Sequence, residues 1–174
     1  MVRSLGGVAV LTSTLMMVGC GDLLSLHALY TTQDQVFDAA VEGQWENEDD
    51  RLLVRRGGDF YTVTWQSKKN PSESAKYEVH LVDINGVRFA DALWVEGIGH
   101  MFFRVRVTEG QLHLTFFDSK WLRQQISHEE ADVDQGKTEA VLTASTSRLR
   151  RVVGRFAREP RAYDDKELVF RHSS

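Results

Sequence analysis

The chain has 174 residues, 21 basic and 25 acidic side chains, a formal net charge of −4, 42% hydrophobic residues and two prolines. The acidic balance excludes a phosphate-backbone binder, which needs a basic surface. The apolar content and the scarcity of proline exclude a disordered stalk, and the length suffices for one domain with its own core.

Positions 1–20 carry the three parts of an export signal. Met1-Val2-Arg3 supplies one positive charge, an uncharged apolar run follows from Leu5 to Val18, and small Gly19 precedes Cys20. The run is shorter than the ~20 residues a spanning helix needs, so it reads as a cleaved segment. Cys20 is the only cysteine. No internal disulfide is possible, and a lone cysteine in an exported chain needs another use.

Met17-Val18-Gly19-Cys20 resembles the lipobox of bacterial lipoproteins, with Met17 where leucine is usual. The resemblance implies cleavage after Gly19 and attachment of palmitate-type chains at Cys20. Each buried acyl methylene contributes about 0.8 kcal/mol, so two or three chains hold a domain firmly on a bilayer. It also implies a periplasm-facing place in the bacterial cell envelope. Gly21 stands where lipoproteins retained in the inner membrane carry Asp, which by that sorting rule favours the outer membrane. Once residues 1–19 are removed, 155 of the 174 residues remain.

Residues 20–42 read as the acylated N-terminus and an apolar arm. Leu23, Leu24, Leu26, Leu29 and Tyr30 are too apolar for a solvated linker, so this arm is expected to lie against the domain. Ser25-Leu26-His27-Ala28-Leu29-Tyr30 resembles a Ser-Leu-His-Pro-Leu-Tyr run of small uncharacterised bacterial lipoproteins, with Ala28 in the place of proline. That likeness implies no activity. Val36, Phe37, Ala40 and Val41 suit one or two helical turns capped by Asp34.

Residues 43–174 read as a single β-rich domain. From Gly43 to Asp118 the apolar period is two, with hairpin signals between the runs. Trp45 opens the first strand, and Arg51 to Arg56 makes the second, ended by Gly57-Gly58-Asp59. Tyr61, Val63 and Trp65 share one face of the third; a polar loop follows from Ser67 to Ser74. Tyr77, Val79 and Leu81 alternate with Glu78 and His80 up to Asn85-Gly86, the strongest short hairpin signal. Val87, Phe89 and Leu93 continue beyond it. Met101, Phe103, Val105 and Val107 then turn at Glu109-Gly110 into Leu112, Leu114 and Phe116. No crossover helix fits between these runs, so they are antiparallel.

Asp118 or Ser119 caps a short helix carrying Trp121, Leu122, Gln125 and Ile126. His128 to Gly136 is an acidic loop and Glu139 to Thr143 a returning strand. Ser145 or Thr146 caps a second helix with Leu149, Val152, Val153 and Phe156 on one face. Leu168 and Phe170 suit a last strand that closes or extends the sheet.

The fold class is therefore mainly β (α+β). An antiparallel meander rolls into a barrel or a strongly curved sheet, with two short helices after it. Gly43-Gln44-Trp45 resembles the Gly-x-Trp signature at the first strand of lipocalin-type barrels. The resemblance implies a lipocalin-like barrel in which Trp45 covers the closed end.

The chain lacks a Gly-x-Ser-x-Gly elbow, a phosphate-cradling glycine loop and a Gly-x-Gly-x-x-Gly turn. No two of its six histidines stand at the strand or helix spacing that aims a pair at one metal. His80 and His113 fall on the face away from the core and are expected to be solvated. No catalytic residue, metal or cofactor is assigned.

Asp91 falls on the face of Val87, Phe89 and Leu93. Either it makes a polar contact inside a cavity, or the strand ends before it and leaves it in water, the favoured reading. Arg148, Arg151, Arg155 and Arg158 flank the apolar face of the late helix. Such a stripe is ordinarily a solvated face; on a tethered domain it is also a candidate contact with anionic headgroups.

Two functions follow. In the first, a lipid-anchored cup holds a small apolar or amphipathic ligand or lipid, with Tyr61, Trp65, Tyr77, Phe89, Asp91 and Phe103 at its cavity. In the second, a solid domain docks another envelope protein through Phe102 and Phe117 on its polar face.

Overall fold

The computed structural model describes residues 23–95, 99–126 and 140–173. Cys20, the lipobox and the acidic loop from His128 to Gly136 lie outside them. Among the described residues there are eleven strands and two α-helices. The strands of the arm are β1 (Leu23–Ser25) and β2 (Gln35–Val36). The meander comprises β3 (Gly43–Glu46), β4 (Asp50–Arg56), β5 (Tyr61–Ser67), β6 (Ser74–Ile84), β7 (Val87–Trp94), β8 (His100–Thr108) and β9 (Gln111–Phe116). After it come α1 (Ser119–Gln125), β10 (Ala140–Leu142), α2 (Thr146–Phe156) and β11 (Leu168–His172).

Each meander strand pairs antiparallel with the next from β3 to β9. The last strand, β11, then slots between β9 and β3, antiparallel to both. Eight strands thus close a barrel, consistent with a lipocalin-like domain. Closure removes the two sheet edges that an open meander would leave. Two hairpins use left-handed pairs: Asn85-Gly86 at φ 52° and 75°, and Glu109-Gly110 at φ 52° and 74°. Such turns match the strand twist, and that match outweighs the ~1–2 kcal/mol a left-handed glutamate costs.

Alternation along each strand builds two cores. Inside the barrel are Trp45, Leu52, Val54, Tyr61, Tyr77, Val79, Leu81, Phe103, Val105, Leu112, Leu114, Phe116 and Phe170. The second core lies on its outer wall, where Val82, Ile84, Phe89, Phe102 and Phe117 meet Leu122 of α1 and Leu149 and Val153 of α2. Phe89, Phe117 and Tyr163 form a stack there, with centroids 5.8 and 4.9 Å apart.

The arm lies against the domain, as its apolar residues require. β1 adds to β8 where β9 has turned away, and β10 joins β1 in parallel. That parallel pair was not legible from connection lengths. The expected helix at Val36 to Val41 is shorter than its sequence pattern: Val36 pairs with Leu81 of β6, leaving a single 3₁₀ turn at Ala39–Val41. Its cap is Asp38, which receives the Ala40 N–H at 2.9 Å, while Asp34 receives the Thr31 N–H at 2.7 Å. Asp118 caps α1 by accepting from Lys120 and Trp121, and Ser145 is the N-cap position of α2.

Candidate functional site

The two ends of the barrel differ. At one end lie the β4–β5, β6–β7 and β8–β9 turns, and the 3₁₀ turn enters β3 there. Trp45 is 2% exposed and donates its indole N–H to the Val41 carbonyl at 2.9 Å. The Tyr61 hydroxyl receives the Asp38 N–H at 2.8 Å. The turn is thereby fastened over the barrel, and this end is closed. Gly43, at φ +128°, is needed for this: a β carbon there would come within 2.7 Å of His172 Nε2.

At the opposite end, the mouth, the β3–β4, β5–β6 and β7–β8 connections open outward. Inward-facing Trp65, Met101 and Leu168 near the mouth, and Val63 at mid-height, are only partly buried. Val107 is a partly exposed exception at the closed end. Trp65 stands edge-on to Phe170, 5.7 Å between centroids, and Phe103 tilts against Phe116 at 4.9 Å. Aromatic pairs thus line the interior on the mouth side, above Trp45 and Tyr61 at the closed end, and the rim is looser. Burial pushes the Tyr77 hydroxyl up to about 12, so it stays neutral inside this wall. An open groove of about 600 Å³ also runs along β3 and β4 between Glu42, Arg55, Arg56 and His172. It lies outside the cup.

Of the predicted cavity residues, Tyr61, Trp65, Tyr77 and Phe103 face inward together. Phe89 and Asp91 do not. β7 places Ala90 and Ala92 inside, opposite Leu81 and Val79, so its odd positions point out of the barrel. The face they share is apolar because a second core covers it. Sequence alternation alone cannot say which of two buried faces is the interior.

Asp91 is not in water either, for β7 runs on to Trp94 and the carboxylate is 0% exposed. It accepts the Leu29 N–H at 2.5 Å, and its other oxygen is 2.7 Å from His100 Nδ1. Around it the arm is locked down. Arg150 of α2 donates to the Leu29 carbonyl at 3.1 Å and pairs with Asp34 at 2.6 Å. The Ser25 hydroxyl, fully buried, bonds the His27 carbonyl at 2.8 Å, and the Leu26 N–H bonds the Leu142 carbonyl at 2.9 Å. The Tyr30 ring stacks on His80, centroids 3.7 Å apart. Burial, then the charges of Asp91 and Glu78, raise the Tyr30 hydroxyl above its ordinary value. The Ser-Leu-His-Ala-Leu-Tyr run thus acts as a clasp.

His80 is on the outer face, as its register requires, but it is buried rather than solvated. Tyr30 and Phe60 cover it, its Nε2 meets Glu78 at 2.9 Å, and its Nδ1 has no hydrogen-bond partner among the described residues. His113 is likewise mostly covered, 2.9 Å from Glu167. Burial raises the Glu167 carboxyl, but bonds from His113 and Thr115 outweigh this and hold it low. The Asp91–His100 pair has the orientation of a carboxylate-steered imidazole. Among the described residues, however, no hydroxyl or thiol bonds His100; Ser25, its strand neighbour, spends its hydroxyl on His27. Nor does any group of three or more His, Cys, Asp or Glu there form a metal site.

Phe102 and Phe117, expected as an exposed patch, are 5% and 2% exposed beneath the helices. Arg148, Arg151 and Arg155 lie exposed along α2, and Arg158 lies exposed in the turn that follows it. Arg158 reaches the Asn85 carbonyl at 2.9 Å, at the closed end, and Arg155 lies over the Phe156 ring at 4.6 Å. Arg150 and His100 were missed in the sequence because their partners are 121 and 9 residues away. No helix among the described residues is long and apolar enough to cross a membrane. No protein-family model, curated protein or solved structure matches this chain.

Proposed function

We propose that this protein is a non-catalytic, lipid-anchored barrel of the bacterial envelope that holds a small apolar or amphipathic molecule at its mouth. The observation that carries the reading is the unequal burial of the interior. Val63, Trp65, Met101 and Leu168 keep part of their surface open, while Trp45, Val41 and Tyr61 are sealed at the other end. Apolar side chains left accessible inside a closed barrel offer a ligand burial without a reacting group. The anchor is the acylated Cys20, on the periplasmic side and in the outer membrane by the Gly21 criterion.

Native mass spectrometry of the protein extracted from its own membrane tests the cup: a co-purifying small molecule is expected, and Trp65→Ala is expected to lose it. An empty wild-type barrel that takes up no apolar probe would refute the reading. Cys20→Ser tests the anchor, since it should abolish processing and release the domain from the membrane fraction.

A further inference from the structure

Leu23, the first described residue, is docked on the barrel, 7% exposed and paired with Ala140. It stands three residues after Cys20, a reach of at most ~11 Å. A domain anchored at that sulfur has no stalk, so part of its own surface meets the bilayer.

The arm runs from there toward the mouth. Ser25 pairs with His100, whose other strand neighbour is Leu93. Leu26 and Trp94, the next residues outward, therefore flank Gly99 at the rim. The close approach is visible in Gly99 itself, where a β carbon would come within 3.3 Å of the Ser25 carbonyl oxygen.

Leu26, Trp94 and Val95 are 53%, 38% and 60% exposed. Phe37, at 40%, is the other large apolar side chain this open among the described residues, and the Arg56 guanidinium lies 3.9 Å over its ring. At the rim, Lys76 is exposed beside Val95, whose N–H bonds the Lys76 carbonyl at 3.0 Å.

We propose that Leu26, Trp94 and Val95 form a lip that rests on the bilayer holding the anchor. The mouth then opens onto that membrane and loads an amphipathic lipid from its surface. This rests on the acylation of Cys20 proposed above. An indole beside aliphatic side chains suits the headgroup boundary, and a neighbouring lysine suits the phosphate layer. Of the arginine stripe, Arg158 reaches the Asn85 turn at the closed end, away from this surface.

The test uses the full-length acylated chain reconstituted in phosphatidylcholine vesicles. Acylation consumes the one native thiol, so a single introduced cysteine carries an environment-sensitive nitrobenzoxadiazole label. At Trp94→Cys and at Val95→Cys, vesicle binding should shift emission to the blue and expose the label to quenching by spin-labelled lipid. At Glu109→Cys, in the opposite turn, and at Arg151→Cys on α2, the label should stay in water. Protein that floats with vesicles but keeps both rim labels in water overturns the lip alone, as does a blue shift at Arg151 instead. Rim labels that shift in native membranes but not in protein-free vesicles overturn it in favour of an envelope protein. A chain that does not float overturns the anchor as well.

Discussion

Replacing Asp91 by alanine should loosen the arm more than any exposed change on the barrel. The carboxylate is 0% exposed and holds two groups, the Leu29 N–H at 2.5 Å and His100 Nδ1 at 2.7 Å. A buried donor left without a partner costs about 1–3 kcal/mol. His100 retains some exposure and regains water, so its share falls at the low end; Leu29, fully buried, should cost close to the top. The sum is about 4 kcal/mol, a large part of the ~5–15 kcal/mol that holds a domain together. At ~2–4 °C per kcal/mol for a domain of this size, Tm should drop by about 8–16 °C. Asp91→Asn keeps one oxygen for the Leu29 N–H and should cost less than half as much. Urea unfolding gives the energies, and hydrogen exchange at Leu29 and Tyr30 locates them. An alanine variant within ~0.5 kcal/mol of wild type, or one losing stability with unchanged exchange in the arm, would refute the clasp.

Phe89→Ala and Trp65→Ala should separate the two cores. The first opens the outer wall and should cost about 3–5 kcal/mol while leaving ligand binding intact; the second should weaken binding at smaller cost. Equal loss of binding in both, measured on folded protein, would contradict the inward and outward assignment. Gly43→Ala forces a side chain into a left-handed backbone and against His172, so a loss of at least ~1–3 kcal/mol is expected by urea titration.

Burial pushes the Tyr77 and Tyr163 hydroxyls up to about 12. They ionise later in the folded protein than in an unfolded chain, so stability is whole below pH ~10 and falls as pH rises from ~10 toward 12. Tyrosinate absorbance from these two should appear together with alkaline unfolding. Their full titration near pH 10 with native circular dichroism would contradict it.

The periodicity of the chain determined where the meander strands lie, because a strand with one buried face must alternate. Asn85-Gly86 and Glu109-Gly110 fixed their registers, because only short left-handed turns join such strands tightly. The apolar arm residues foretold its docking, and Trp45 marked the closed end. The sequence was ambiguous wherever both faces of a strand are buried. Along β7 the inward residues are Ala90 and Ala92, smaller than the outward Phe89. Reading the larger residues as interior therefore inverted the strand and put Asp91 on the wrong side of the wall. Closure by β11, the parallel β1–β10 pair and the clasp of Arg150, Asp91 and His100 on the arm were decided in three dimensions. Each joins groups separated by long stretches of chain, and their pairing depends on which surfaces remain to be covered once the barrel has formed.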